Sequence, residues 1–319
     1  MVCLCNWIYF ITLHEHKSCQ VTGAAQYLHV FETDNNDDMN FKLDNTVLLV
    51  FSDIDGTFIG NENFNAGNNF HVAEDLKRHD HLLVFNSSKT FYEIKKLQDK
   101  FNASHPFISE TGSGIYCKNF LRSSLSKQKE GYEVIFEAIK VDSFVNNVRD
   151  LIKEEFYNDL NLFDDMNDDE KSRLSGLFDH DLELAMKRDF SILVKWNGND
   201  ERLNKFQSEL KKLNLNVIEG GRFCHICGNN KGQATKYFID RVKISKPKKK
   251  IITIGIGDSV NDLDMLKNVD YPCIVKSSNN RDMENDIKHQ NIISSSRIAP
   301  EGWVECLDNV ISLVKNKEV

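Results

Sequence analysis

The stretch 47–60, VLLVFSDIDGTFIG, constrains the fold more than any other part of the chain. Residues 47–51 form a continuous apolar run, which is typical of strands that are covered on both faces, as in a parallel sheet. The run ends at two aspartates, Asp53 and Asp55, followed by a Gly-Thr pair. Because open α/β sheets bind ligands at the carboxyl ends of their strands, we expect both carboxylates to face a crevice.

Two acids at the end of an apolar strand repel each other and lose solvation unless a cation or a proton accompanies them. This suggests that one carboxylate is a metal ligand and nucleophile and that the other is a partly protonated general acid. A turn that closes the strand or binds calcium is the alternative. An EF-hand loop requires more acids at fixed spacing and a final glutamate, which Phe58, Ile59 and Gly60 do not supply. The pattern therefore favours phosphoryl chemistry.

Length, charge and cysteine use limit the class of protein. A chain of 319 residues with 40% hydrophobic content predicts roughly two domains with a substantial core. The net charge of -8 argues against a nucleic-acid-binding protein. Residues 2–13 are apolar but too short to span a bilayer, and the first lysine, Lys17, comes too late for a basic signal start. The 8 cysteines form no disulfide framework in a chain this long. We expect a cytoplasmic protein without membrane or nucleic-acid partners.

Residues 1–45 are predicted to be an N-terminal extension of unknown role. The extension contains residues that could be taken for a metal cluster, namely Cys3, Cys5, His14, His16 and Cys19. An irregular extension is the preferred interpretation.

A second apolar run, 81–85, predicts another strand and leads through Asn86-Ser87-Ser88-Lys89-Thr90 into a predicted helix at 91–101. Small hydroxyl residues at such a junction offer a hydroxyl and backbone N–H groups to an anion. An ordinary Ser/Thr N-cap is the alternative. Beside the acidic end of the first strand, phosphate binding is the favoured interpretation.

Two later segments add charged residues at corresponding positions. Lys231 follows a Gly-rich turn and precedes a predicted helix, so its ammonium could bind a phosphate, although a surface lysine is the alternative. The apolar run 251–256 predicts a strand that is followed by Asp258, Asn261 and Asp262. One aspartate from each strand end can share a hard cation such as magnesium, which takes oxygen ligands.

The chain between these motifs has strand and helix signals of its own. Apolar spacing predicts a helix within 134–155, and a later segment predicts a strand at 191–196. We interpret 115–227 as a second α/β domain inserted into the first. The CxxC pair, Cys224 and Cys227, lies in an apparent strand with no second cysteine pair nearby, so structural thiols are preferred to a zinc or redox site.

Four of these features together resemble a known set of motifs. Asp53-Ile-Asp55-Gly-Thr57, Ser87, Lys231 and Gly257-Asp258-Ser-Val-Asn261-Asp262 resemble the motifs of the haloacid dehalogenase (HAD) phosphohydrolase superfamily. The resemblance covers 47–314 and implies an α/β fold with a HAD-like Rossmannoid parallel-sheet core, 46–114 and 228–319. The insertion, 115–227, resembles the α/β cap of the Cof-like branch, which selects the substrate.

Several segments look more specifically like the mannosyl-3-phosphoglycerate phosphatase family; they are 86–90, 174–177, 185–191, 220–223, 231–232 and 300–303. Ser87 stands where that family usually has threonine, so the hydroxyl is kept. The resemblance implies a magnesium-dependent phosphatase whose partner is a small phosphorylated sugar, with mannosyl-3-phosphoglycerate as the expected substrate.

The resemblance also implies roles for individual residues. Asp53 would be the nucleophile and Asp55 the general acid and base, while Lys231 would bind the phosphoryl oxygens. The remaining phosphate- and substrate-binding candidates are Ser87, Ser88, Lys89, Arg188 and Arg222. The candidate metal residues are Asp53, Asp55 (through its backbone carbonyl), Asp258, Asp262 and Asn261, of which the last two could instead orient Lys231 or a metal-bound water.

Several alternatives stay open at this point. Arg188 and Arg222 could bind the substrate carboxylate or form ion pairs within the cap. The enzyme could act on a broader range of sugar phosphates, as a sucrose-phosphate or Cof-like phosphatase does, or be a phosphomutase. A non-catalytic binding protein on the same fold is a third possibility, against which the presence of Asp53, Asp55, Lys231 and Asp258 argues. The sequence defines neither the sugar nor the oligomeric state.

Overall fold

The strand predicted at 47–51 extends over Thr46–Ser52 and lies within a large sheet. The structure is a computed structural model that describes residues 41–61, 64–118, 127–277 and 283–318. Most of the predicted N-terminal extension, with its cysteines and histidines, therefore lies outside the described residues. Phe41, at the end of that extension, is fully buried in the core.

The strands of the described residues are, in chain order, β1 (Thr46–Ser52), β2 (Leu82–Asn86), β3 (Phe107–Ser109), β4 (Gly114–Cys117), β5 (Gln128–Lys129), β6 (Tyr132–Glu137), β7 (Leu160–Leu162), β8 (Ser191–Trp196), β9 (Asn216–Glu219), β10 (Cys224–Cys227), β11 (Lys250–Gly257), β12 (Tyr271–Lys276) and β13 (Ile293–Ile298).

The α-helices of the same part of the chain are α1 (Asn69–Arg78), α2 (Phe91–Lys100), α3 (Val145–Leu151), α4 (Asp168–Ser175), α5 (Asp179–Met186), α6 (Asp200–Lys212), α7 (Lys231–Ser245), α8 (Leu263–Leu266), α9 (Met283–Ile287) and α10 (Glu301–Glu318). Within the described ranges, every helix is too short or too polar to cross a bilayer.

Nine strands form one sheet in the order β13-β12-β11-β1-β2-β3-β4-β6-β5. Neighbours from β13 to β3 are parallel, and the last three strands add antiparallel pairs. Leu48 and Val50 of β1 pack in an apolar cluster with α1 and α10, whereas Leu49 and Phe51 pack on the other face with α7 and α8. Burial on both faces explains the continuous apolar run of β1 and confirms the predicted α/β class.

A second, antiparallel sheet has four strands in the order β7-β8-β10-β9. Side chains of α3 and α6 cover one of its faces in a separate apolar cluster that includes Phe206. The chain leaves the nine-stranded sheet after β6 and returns at Gly228. A Cβ atom on Gly228 would lie 2.5 Å from Ile139 Cγ2, so the points of exit and return are in direct contact.

The predicted helix within 134–155 is wrong in its first part, because Tyr132–Glu137 forms β6 and α3 begins only at Val145. Ile135 and Ile139 are four residues apart, and this spacing fits the two-residue period of a strand as well as one turn of a helix. The strands β4, β5 and β6 pair with the nine-stranded sheet, although 115–137 was assigned to the insertion. The division of the chain into domains stays a prediction.

The CxxC pair is held in β10, where both thiols are free and buried. Cys224 packs in the apolar cluster under α3 and α6, whereas Cys227 Sγ donates a hydrogen bond to the backbone carbonyl oxygen of Asn229 (3.1 Å). Residues three apart in a strand point to opposite faces, so the two sulfur atoms cannot share a metal ion. The preference for structural thiols is confirmed.

The turn between β3 and β4 has a left-handed backbone at three consecutive residues. The φ angles of Glu110, Thr111 and Gly112 are 47°, 57° and 97°. A Cβ atom on Gly112 would lie 2.1 Å from the carbonyl oxygen of Asn230, and the carbonyl oxygen of Gly112 accepts a hydrogen bond from Asn229 Nδ2 (2.6 Å). Glycine is therefore required where this turn contacts the residues that precede α7.

We expect Gly112→Ala to lower the free energy of unfolding by about 3 kcal/mol or more, because a positive φ and a backbone clash act together. Gly131→Ala is the matched control, since Gly131 also has a positive φ (79°) but open space around its Cβ position. The control should cost about 1 kcal/mol, the penalty of the left-handed conformation alone. Urea unfolding of both variants measures the difference, and equal losses would contradict the clash.

Candidate active site

The carboxyl ends of β1 and β11 bring Asp53 and Asp258 to the same edge of the sheet. The two strands are parallel neighbours, and the backbone N–H of Asp53 donates to the carbonyl oxygen of Ile256 (3.0 Å). Carboxylate oxygens of Asp53, Asp258 and Asp262 lie within 4.8 Å of one another. The acids that the sequence placed at separate strand ends thus form one cluster.

The electrostatics of this cluster favour a positively charged ligand. Burial raises the pKa of Asp53 well above its ordinary value; Lys231 opposes this, whereas Asp262 and Asp258 reinforce it. Burial and the Asp262 carboxylate raise the pKa of Asp258 to about 7, even though Thr57 Oγ1 donates a hydrogen bond to Asp258 Oδ1 (3.0 Å). A cation near these oxygens would therefore stabilise the ionised form of the cluster.

Lys231 is the first residue of α7 and is fully buried among the acids. Its Nζ lies 2.6 Å from Asp53 Oδ1 and 2.6 Å from Asp262 Oδ1. Burial opposes its charge, but the carboxylates of Asp262 and Asp53 outweigh burial and raise the pKa of Lys231. The surface-lysine alternative is therefore wrong, and the ammonium points into the acid cluster.

The start of α7 is fixed by a capping box and by a contact from β2. Asn230 is the N-cap, with reciprocal hydrogen bonds between Asn230 and Gln233. The side chain of Asn86, the last residue of β2, donates to the carbonyl oxygen of Lys231 (3.2 Å) and to Thr235 Oγ1 (3.0 Å). These contacts hold the backbone of Lys231 in place, so its ammonium has a defined direction.

Asp262 is satisfied entirely by donors from the protein. Its Oδ1 accepts from Lys231, and its Oδ2 accepts from the backbone N–H groups of Asp258 and Ser259 and from Ser259 Oγ, each at 3.1 Å. Asp262 therefore has the geometry of a residue that orients Lys231, which is one of the two roles suggested by the sequence.

A metal ion could be held by the oxygens that remain. Asp55 Oδ1 and Asn261 Oδ1 are buried and lack a hydrogen-bond partner among the described residues. The Asn261 amide oxygen and the carboxylates of Asp53 and Asp258 are oxygen donors of the type that hard divalent cations prefer, whereas the Asp55 carboxylate is left for acid-base chemistry. These donors and the raised pKa values of the acids both fit a divalent cation.

The loop after β2 also contacts the acids. Ser87 is buried, and its Oγ accepts a hydrogen bond from the backbone N–H of Lys89 (3.3 Å). Lys89 Nζ lies 2.9 Å from Asp55 Oδ2 and 3.9 Å from Glu93 Oε1. Burial opposes the charge of Lys89, but these two carboxylates raise its pKa above the ordinary value. The contact of Lys89 is therefore with Asp55, and its predicted role in phosphate binding stays a prediction.

The two candidate arginines, Arg188 and Arg222, have different surroundings. Arg188 Nη2 donates to the backbone carbonyl oxygen of Ser88 (2.8 Å), and its buried Nε has no partner within the described ranges. Arg222 is exposed, and its guanidinium lies over Gly176, where a Cβ atom would be 3.0 Å from Nη1. The structure therefore brings Arg188, but not Arg222, into contact with the loop that carries Ser87.

Glu110, in the turn between β3 and β4, is a buried residue that was not among the candidates predicted from the sequence. Its carboxylate accepts hydrogen bonds from the backbone N–H groups of Asp189 (2.9 Å) and Phe190 (3.0 Å) and from Ser191 Oγ (2.8 Å). It thereby fixes the segment next to Arg188. The available sequence signal was weak, an acid at the start of a Gly-rich turn, and it gave no indication of partners so distant in the sequence.

Comparisons with known proteins agree with this geometry. A family model described as haloacid dehalogenase-like hydrolase matches residues 50–285. A relative from Methanococcoides burtonii, glucosyl-3-phosphoglycerate/mannosyl-3-phosphoglycerate phosphatase, is 28% identical over 272 residues, which is 84% of this chain and 98% of that protein.

Solved structures share the fold. A phosphatase of the haloalkanoate (HAD) enzyme superfamily from Bacteroides thetaiotaomicron has a TM-score of 0.60 at 14% identity, covering 83% of this chain and 96% of that one. Sucrose-phosphatase from Synechocystis has a TM-score of 0.54 at 17% identity, covering 83% and 98%. At such identities the likeness concerns the fold alone, and it confirms the predicted fold class.

Proposed function

Because the chain belongs to the haloacid dehalogenase-like hydrolase family, we propose that it is a magnesium-dependent phosphatase that hydrolyses a glycosyl-3-phosphoglycerate, principally mannosyl-3-phosphoglycerate. The observation that carries the proposal is the position of Asp53 at a strand end, with Lys231 Nζ 2.6 Å from its Oδ1 and Asp258 beside it. The choice of substrate rests on the phosphatase from Methanococcoides burtonii, of which the chain covers 98%.

In the first half of the proposed reaction, a carboxylate oxygen of Asp53 attacks phosphorus in line with the departing glycerate oxygen. The bond between phosphorus and that oxygen breaks, and Asp55 gives the oxygen a proton. Lys231 and the Ser87 hydroxyl hold the phosphoryl oxygens, whose charge is the main feature to be stabilised in phosphoryl transfer. Lys89, 2.9 Å from Asp55 Oδ2, orients the acid.

In the second half, Asp55 takes a proton from a water molecule, and the oxygen of that water attacks the phosphorus of the aspartyl-phosphate. The bond between phosphorus and the Asp53 oxygen breaks, which releases inorganic phosphate and restores the carboxylate. Asp262 keeps Lys231 directed at the phosphoryl group throughout, because it accepts a hydrogen bond from Nζ at 2.6 Å.

Asp53, Asp258, the backbone carbonyl of Asp55 and Asn261 are the residues that would hold magnesium. The bound ion would supply positive charge that offsets the negative charge of the transferring group. This role fits the raised pKa values of Asp53 and Asp258, which reflect burial and an excess of carboxylates.

Phosphate release from a panel of esters tests the proposal. The panel contains mannosyl- and glucosyl-3-phosphoglycerate, sucrose phosphate, trehalose phosphate and simple hexose phosphates, each assayed with magnesium and with a chelator. We expect the highest kcat/KM on a glycosyl-3-phosphoglycerate. Chelation should lower turnover by at least about 100-fold, because the cation provides several kcal/mol of charge stabilisation.

Other results would identify the alternatives. Turnover of hexose phosphates alone would keep the chemistry and contradict the proposed substrate. A requirement for a hexose bisphosphate would indicate a phosphomutase. Folded protein that releases phosphate from no ester would favour a binding protein.

A further inference from the structure

One polar side chain of the four-stranded sheet has no role in the mechanism above. The two strand neighbours of His225 pack into the apolar cluster under α3 and α6, so alternation along β10 directs His225 to the opposite face, together with Cys227. Cys227 is in register with Ser191 of β8, whose Oγ donates to the Glu110 carboxylate (2.8 Å). The face that carries His225 is therefore the face joined to the loops around the acid cluster.

His225 is buried, with 7% of its surface exposed, and its Nδ1 atom has no hydrogen-bond partner in the part of the chain that the structure describes. Burial lowers the pKa of His225 well below its usual range, and the charges of Arg188 and Lys231 lower it further. Burial and the two nearby cations thus both favour the neutral form of the ring. A neutral imidazole has one nitrogen that donates a hydrogen bond and one that accepts.

The surroundings of the ring leave Nδ1 as the atom that requires a partner. The ring edge that carries Nε2 packs against the backbone of Gly220, because a Cβ atom placed on that glycine would lie 3.1 Å from His225 Nε2. A buried polar atom without a partner destabilises a protein unless water or a ligand satisfies it. Arg188 Nε, on the same side of the insertion, is also buried without a partner among the described residues. One nitrogen of a neutral ring and one nitrogen of a guanidinium are thus both without a partner among the described residues.

We propose that His225 Nδ1 forms a hydrogen bond with a sugar hydroxyl of the substrate, and that His225 thereby selects phosphate esters with polyhydroxylated leaving groups. The inference rests on the proposed function and adds a specificity-determining residue to it. A neutral imidazole suits an uncharged hydroxyl, whereas Arg188 and Lys231 suit the anionic groups of the same substrate.

Two substitutions distinguish the ring nitrogens. Asparagine places a polar atom at about the distance of Nδ1 from the backbone, and glutamine places one at about that of Nε2. We expect His225→Gln to lower the ratio of kcat/KM on mannosyl-3-phosphoglycerate to kcat/KM on p-nitrophenyl phosphate by about ten- to hundredfold, mainly through KM. His225→Asn should keep most of the ratio. Thermal unfolding reports whether each variant folds, and His225→Leu carries the same expectation if the glutamine variant does not.

Equal ratios in the wild type and both variants would overturn the inference, as would a parallel loss of kcat/KM on both esters. A wild-type enzyme with no magnesium-dependent activity on any ester would contradict the proposed function and the inference together. If the wild type is active on the glycosyl ester but neither variant changes the ratio of the two kcat/KM values, the inference alone is contradicted.

Discussion

We expect Asp53→Asn to lose at least about 10⁴-fold in kcat, because the variant lacks the nucleophile that the whole reaction requires. The fold should be retained or slightly stabilised, since Asp53 is one of three closely spaced carboxylates whose mutual repulsion the substitution reduces. Phosphate release and thermal unfolding of the same preparation measure both effects. Activity lost together with the fold would not support a chemical role.

Asp55→Asn is the matched control, because it removes the neighbouring acid and leaves the nucleophile. This variant should still form an acid-stable, hydroxylamine-sensitive phosphoenzyme with p-nitrophenyl phosphate, whose leaving group needs little protonation, whereas Asp53→Asn should form none. Phosphoenzyme of equal yield in both variants would contradict the assignment of Asp53 as the nucleophile.

The second large effect is expected for Lys231→Met, which should abolish turnover and also lower the free energy of unfolding by about 3–5 kcal/mol at neutral pH. Lys231 is fully buried, and its ammonium lies 2.6 Å from a carboxylate oxygen on either side. Without it, two buried carboxylates lose their shared cation. Urea unfolding and phosphate release measure the two losses.

The stability loss should depend on pH in a defined direction. Lys231 holds down the pKa of Asp53, which burial has already raised, so removing the cation raises it further. The penalty is therefore present at neutral pH and shrinks as the pH falls and this carboxyl becomes protonated. The double variant Lys231→Met/Asp262→Asn should regain part of the stability and none of the activity. Lys246→Met, which removes a partly exposed lysine paired with the exposed Asp80 at 2.7 Å, is the control and should cost less than about 1 kcal/mol. A loss in Lys231→Met no larger than in this control would contradict the buried pair.

The fold could be predicted where the pattern of apolar residues along the sequence matches the burial of those residues in the folded protein. The run 47–51 is apolar because helices cover both faces of β1, and the same holds for the run before Asp258. Strand ends in a parallel sheet share an edge, so the meeting of Asp53 and Asp258 follows from order along the chain once the strands are identified. Lys231 begins α7 and follows a strand of the other sheet, so its contact with these acids does not follow from this rule.

The parts that could not be predicted depend on contacts between distant residues. Ile135 of β6 and Ile139, two residues beyond it, have a spacing that suits either a strand or a helix, and only pairing with β4 shows that 132–137 is a strand. The edge strand β13, ISSSRI, is largely polar and lacks a strand pattern. The hydrogen-bond partners of Glu110 lie about eighty residues away in the sequence. That His225 Nδ1 lacks a hydrogen-bond partner among the described residues can be recognised only from the burial of that face of the strand.

The contact between Ile139 and Gly228 has a consequence for how such a chain can evolve. A segment that leaves a fold and returns at adjacent points can be lengthened, shortened or exchanged without moving the halves of the sheet on either side, because loop-closure entropy rises only slowly with length. The acids and the lysine of the candidate active site, which lie outside this segment, limit the rest of the protein to phosphoryl transfer. If the segment between Ile139 and Gly228 contacts the leaving group, as proposed above, its divergence would fit new leaving groups to an unchanged phosphoryl-transfer centre.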